Sequence, residues 1–261
     1  MPKPSPSIAL PPSIAAAVWR GDRIVRTQLA STPTGWDALN AELPGKGWPS
    51  QSLIEILQPQ PGQLEWRLTA AALKQQGTQR KAIIALAPPL PPHASGLAQQ
   101  GLAPNQLVWI QANSPQDRLW TLEQLIRANC ADVLLAWLPQ AHPEQIRRLQ
   151  ISAQQFHGLI FLFRPDSCQR QASAAPLRVL ARCGALWSLQ LQITKRRGPV
   201  HTGTLDLPAV PTSLQAVLTP RMLQTAPITR PATPAAKAAP HHEKPLGRPA
   251  APLPHLVSQP G

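Results

Sequence analysis

The residues with the best claim to chemistry lie between Gln58 and Glu65, in the run Leu53-Ile54-Glu55-Ile56-Leu57-Gln58-Pro59-Gln60-Pro61-Gly62-Gln63-Leu64-Glu65-Trp66. An apolar strand, a tight loop and a new helix make the layout of a loop that cradles phosphates. Such a loop needs glycines so that backbone N–H groups reach the phosphates, a lysine for their charge, and a Ser or Thr for Mg²⁺. Here Gln58 and Gln63 hold the glycine positions, Leu64 the lysine position and Glu65 the hydroxyl position. Glu65 would repel a triphosphate, and Leu64 cannot replace an ammonium. The metal-binding carboxylate of such sites should end a later strand; that strand is Val133–Leu138, and the matching residue is Trp137. Gly45-Lys46-Gly47 precedes the first strand rather than following it, so it is no displaced loop. The expectation is a scaffold that has lost ATP hydrolysis, with no catalytic residue and no cofactor to assign.

The strongest charge cluster is Lys195-Arg196-Arg197, followed by Gly198-Pro199, between strands expected at Trp187–Ile193 and Thr204–Leu207. It reads as a basic hairpin turn, either a contact for an anionic partner or a solvated turn. Arg164, Arg170 and Arg178 would extend such a patch. Eight tryptophans stand beside no tyrosine. Most are expected in the core, Trp109, Trp137 and Trp187 within strands, while Trp48, in a Gly/Pro turn, is the candidate for an exposed contact. Aromatics interleaved with basic residues on one face, as a single-strand stacking platform requires, are absent. Seven histidines show no metal-ligand spacing, so no metal site is expected. Cys130, Cys168 and Cys183 are odd in number and lack CxxC spacing, which suits reduced thiols in a cytosolic protein.

The elements that must position these residues alternate. Ala82–Ala87, Leu107–Ile110, Val133–Leu138 and Leu159–Phe163 are strand-length apolar runs. Between them Leu64–Gln76 (stopped by Gly77), Ser114–Arg127 and Pro143–Phe156 carry helical spacing. In the second of these helices Leu119, Trp120, Leu122, Leu125 and Ile126 are placed on the apolar face, and Asp132 is read as a surface or turn residue. The alternation predicts an α/β fold with a mostly parallel sheet covered on both faces.

Of 261 residues 33 are prolines, and they are unevenly spread. Residues 1–12 and 208–261 hold few large apolar groups and are expected to be disordered, leaving one core domain at 13–207. Ser13 can cap a short helix over residues 13–19. The tail is basic, with Arg221, Arg230, Lys237, Lys244 and Arg248 against Glu243, and carries a Leu-rich patch at Leu214–Leu223. Net charge is +13, which favours anionic partners. Pro11-Pro12 break the first apolar stretch, so no export signal is expected, and no run reaches membrane-span length.

The run Pro33–Trp66 resembles the start of the RecA recombinase core. Together with Val18-Trp19-Arg20-Gly21-Asp22 upstream, and Leu162-Phe163-Arg164-Pro165 and Thr194-Lys195-Arg196-Arg197-Gly198 downstream, it resembles the ImuA family over Ile14–Leu207. The resemblance implies a RecA-like three-layer domain with a degenerate nucleotide loop and a flexible Pro/Ala-rich C-terminal tail. It implies an accessory role in SOS-induced translesion synthesis, cytoplasmic and nucleoid-associated when engaged. The implied partners are an inactive Y-family polymerase-like protein (ImuB-type), an error-prone DnaE-type polymerase, and RecA as a further candidate. In RecA-like ATPases a catalytic Glu follows the second core strand, where this chain has Pro88-Pro89-Leu90-Pro91-Pro92. In RecA filaments the similar hairpin touches nucleotide on the neighbouring subunit, so Lys195–Arg197 is expected to meet a filament end, an acidic protein face or DNA. The equivalents of RecA's DNA loops, near Pro139–Pro143 and Arg164–Ala175, are short, which favours indirect contact with DNA. Self-association is left open, and no membrane partner is expected. Two alternatives stand: a SulA-like inhibitor that binds the division tubulin, and a direct DNA-binding module whose affinity would fall steeply with salt.

Overall fold

The computed structural model describes residues 30–76, 82–185, 187–211, 214 and 217–219. In chain order the strands are β1 (Ser31–Thr32), β2 (Trp48–Pro49), β3 (Leu53–Gln58), β4 (Ala82–Leu86), β5 (Leu107–Ile110), β6 (Ala131–Trp137), β7 (Leu159–Pro165), β8 (Leu177–Cys183), β9 (Ser188–Lys195) and β10 (Leu205–Pro208). The α-helices are α1 (Asp37–Glu42), α2 (Glu65–Gln76), α3 (Ala94–Gln99), α4 (Pro115–Ala128) and α5 (Pro143–Ala153). The expectations for 1–12, for the helix at 13–19, for Val18–Asp22, for Gly77 and for the tail beyond 219 lie outside the described residues.

Eight strands form one sheet in the order β10-β9-β8-β3-β7-β6-β4-β5, while β1 and β2 make a small antiparallel pair. The block from β8 to β5 is parallel throughout, and β9 and β10 add antiparallel strands at one edge. β3 and β6 are buried at every residue, as strands covered on both faces must be. Strand alternation splits the core in two. Ile54, Ile56, Val133 and Leu135 pack with Leu68, Ala72 and Leu73 of α2. Leu53, Leu134 and Ile160 pack with Leu122 and Ile126 of α4 and with Ile146 and Leu149 of α5. The fold is therefore the expected α/β arrangement of a mostly parallel sheet flanked by helices. Among the described residues no helix is long and apolar enough to cross a membrane.

α4 shows how local sequence sets an element. Ser114 caps it by accepting from the Asp117 N–H, Pro115 occupies a position with no N–H to lose, and Asn129 closes it in the left-handed region at φ 48°. Trp120 was expected on its apolar face but is 64% exposed, because it sits one helical step round from Leu119, on the solvent side. Trp109 was expected in the core and is 41% exposed, because β5 is the edge of the sheet. Trp187 is no strand residue; it turns the chain at φ 62° before β9. Asp132 is buried within β6 rather than lying in a surface turn.

Candidate functional site

β3 delivers the chain to the loop, and its alternation turns Gln58 toward the face covered by α2, the face of Ile54 and Ile56. Gly62, at φ 89°, makes the turn that a side chain would oppose, and α2 starts at Glu65. The Glu65 side chain is fully buried against that helix start. Its Oε1 accepts from Gln58 Nε2 at 2.7 Å, from the Gly62 N–H at 2.7 Å and from Trp137 Nε1 at 2.9 Å. Its Oε2 accepts from the Leu64 N–H at 3.1 Å. The amides and helix dipole that would receive a phosphate thus receive the chain's own carboxylate.

Glu65, expected to repel a triphosphate, has its own carboxylate seated at the loop amides. Gln58 and Trp137, at positions expected to have lost phosphate and metal chemistry, are the side chains that hold it. Leu64 is buried in the core beside it, whereas Gln63 is exposed and donates only to Gln60 Oε1. An incoming anion would have to displace a carboxylate that has four donors.

A second buried charge cluster lies on the opposite face of β3. Register pairs Glu55 with Leu162 on β7 and with Arg178 on β8, and alternation puts Glu55, Arg164 and Arg178 on one face. Arg164 Nη1 lies 2.8 Å from Glu55 Oε1, and Arg178 Nε lies 2.9 Å from Glu55 Oε2. Arg164 also donates to the Ala141 carbonyl and Gln171 Oε1. Arg178 donates to the carbonyls of Cys168, Gln169 and Gln171. Both arginines were expected on a surface patch. They are 2% and 6% exposed, because they neutralise a carboxylate in the central strand and tie down the turn after β7. Glu55 escaped the sequence reading. The signal was present: a carboxylate inside the apolar run Leu53–Leu57 requires buried cations nearby.

The basic turn does join β9 to β10, but its three cations differ in role. Arg196 reaches back to Glu42 at the end of α1, pairing with its carboxylate at 2.9 Å and donating to its carbonyl. It also donates to the Pro199 carbonyl, so it braces the hairpin and is not free for a partner. Lys195 is exposed and its ammonium donates to the Ser173 carbonyl; Arg197 is exposed. Arg196 and Arg197 border a cavity of about 260 Å³ whose other walls include Leu43, Pro44, Gly45 and Leu177. Gly47 sits so close to β1 that an added Cβ would lie 2.4 Å from the Thr32 carbonyl oxygen, which gives that glycine a packing role. Trp48 is no exposed contact. It is fully buried in β2, edge-on to Phe161 with ring centroids 5.3 Å apart.

No family model matches the chain. It is similar to the cell division inhibitor SulA of Photorhabdus laumondii subsp. laumondii, with 24% identity over 112 residues. The match takes in 43% of this chain and 63% of that protein, so the chain spans less than two thirds of the relative's length.

Proposed function

We propose that this chain is a non-catalytic, RecA-like accessory protein of the ImuA type, serving SOS-induced translesion DNA synthesis. It acts as an adaptor between an inactive Y-family polymerase-like protein of the ImuB type and an error-prone DnaE-type polymerase, with RecA as a further partner. The observation that carries this reading is the Glu65 carboxylate seated among donors that would otherwise meet a phosphate, past the carboxyl end of β3 inside a mostly parallel sheet. A protein built this way presents a fixed surface that does not depend on nucleotide state. The ordered motifs from Val18 to Gly198 support the ImuA type. Arg164, Arg178 and Arg196 are spent on internal partners, which supports a role through proteins rather than direct DNA binding. The work is cytoplasmic, at the nucleoid when engaged.

The test is affinity capture of the tagged chain from cells after DNA damage, with bound proteins identified by mass spectrometry. Recovery of the inactive Y-family partner is the expected result, and robust DNA-stimulated ATP hydrolysis by the purified chain would refute the non-catalytic role. A second reading, a division inhibitor acting on the division tubulin, is favoured by the similarity to SulA. Recovery of the division tubulin in the same capture, without the polymerase-like partner, would move the assignment there.

A further inference from the structure

A cavity of about 440 Å³ opens at the carboxyl ends of β3, β4, β6 and β7, where open α/β sheets take their ligands. Its walls do not suit a phosphate. Six of the lining residues are prolines: Pro59, Pro61, Pro88, Pro89, Pro139 and Pro165. Proline has no N–H, so these walls offer apolar ring surface and no backbone donor. Trp137 and Phe163 also line the cavity, stacked with centroids 4.8 Å apart. The volume falls in the range of natural ligand pockets, and the apolar, aromatic lining favours a flat ring.

The polar groups set what that ring must carry. Gln58 and Arg164 both line the cavity and are 1% and 2% exposed. Each leaves one buried side-chain atom without a partner, Gln58 Oε1 and Arg164 Nε. Both atoms are themselves closed to solvent, so recognition of a ligand falls to the half-buried Arg118. Arg118, also in the lining, spends Nε on the Ala112 carbonyl, and among the described residues no acidic one lines the cavity. Behind the wall the four donors to Glu65 are neutral, so its charge offsets the second guanidinium beside Glu55, and Arg118 is the cation that leaves the site net positive.

We propose that this cavity docks an aromatic side chain carried on an acidic peptide segment of a protein partner. The ring enters among the prolines, above the buried Trp137–Phe163 pair, and a flanking carboxylate meets Arg118. The proposal deepens the adaptor reading and rests on it for the partner being a protein. The experiment selects a displayed library of random short peptides on the full chain, with counter-selection on the Arg118→Glu variant. Selected peptides are then labelled and titrated by fluorescence anisotropy. Recovered peptides should share an aromatic residue beside Asp or Glu. Replacing that aromatic by Ala, or the acids by Lys, should weaken binding by about tenfold or more. Arg118→Glu and the mouth-filling Pro89→Trp should do the same, while Arg197→Glu, outside the cavity lining, should not. Circular dichroism melts establish that each variant folds.

Recovery of no peptide, of peptides without an aromatic, or of peptides indifferent to Arg118→Glu overturns the proposal. So does Arg118-dependent binding of oligothymidylate in place of peptide. If the wild-type chain captures the polymerase-like partner while the library yields nothing, the cavity proposal fails and the adaptor stands. If acidic aromatic peptides bind as described but no such partner is captured, the adaptor fails and the docking site stands.

Discussion

Glu55 and Glu65 sit on opposite faces of one segment, and each is stabilised by what surrounds it rather than by solvent. Replacing Glu55 with Ala leaves two guanidinium groups buried without their carboxylate, and should cost about 3–5 kcal/mol in urea unfolding. Arg182→Ala is the contrast: that side chain is 55% exposed where it faces Asp166 at 3.9 Å, and its loss should cost about 1 kcal/mol or less. Glu65→Ala strands the donors of Gln58, Gly62, Leu64 and Trp137, and should cost about 2–3 kcal/mol by the same measurement. At this scale the sequence was half legible. The expectation that Gln58, Leu64 and Glu65 cannot serve a phosphate follows from residue types alone. Where Arg164, Arg178 and Trp48 point does not, because a strand-end arginine or a turn tryptophan is buried only when tertiary partners exist to receive it.

Among the elements, the junction of β6 and β7 tolerates least. A Cβ on Gly158 would lie 2.1 Å from the Asp132 carbonyl oxygen, so Gly158→Ala must push β7 away from β6. The expected loss is about 1–3 kcal/mol, with faster amide hydrogen exchange concentrated in those two strands. Gly198→Ala, in the basic turn at φ 97°, meets no neighbour within 4 Å and should cost only the backbone term, about 1 kcal/mol. The continuous apolar runs made the central strands legible, since only a doubly covered strand has that pattern. Edge and centre were not separable: Leu107–Ile110 is as apolar as the others, yet strand order leaves it at the rim. β1 and β2, two residues each, are too short to carry any periodicity.

For the molecule as a whole, a filled anion seat predicts indifference to nucleotide. A ligand present at a hundred times its Kd would raise stability by about 2.7 kcal/mol, so a thermal melt unchanged by saturating ATP and Mg²⁺ is the expected result. The same seat bears on what sequence change can reach. Building a phosphate site there would require a lysine at Leu64, a hydroxyl at Glu65 and glycine in place of Gln58 and Gln63. Taken singly, the changes at Glu65 and Gln58 remove members of the network that holds the carboxylate, and each buried group left unsatisfied costs about 1–3 kcal/mol before any ligand can repay it. Against the usual margin of about 5–15 kcal/mol, such intermediates are selected against. A carboxylate seated in this way is held by a ratchet: each single step away from it costs stability before any step can return it.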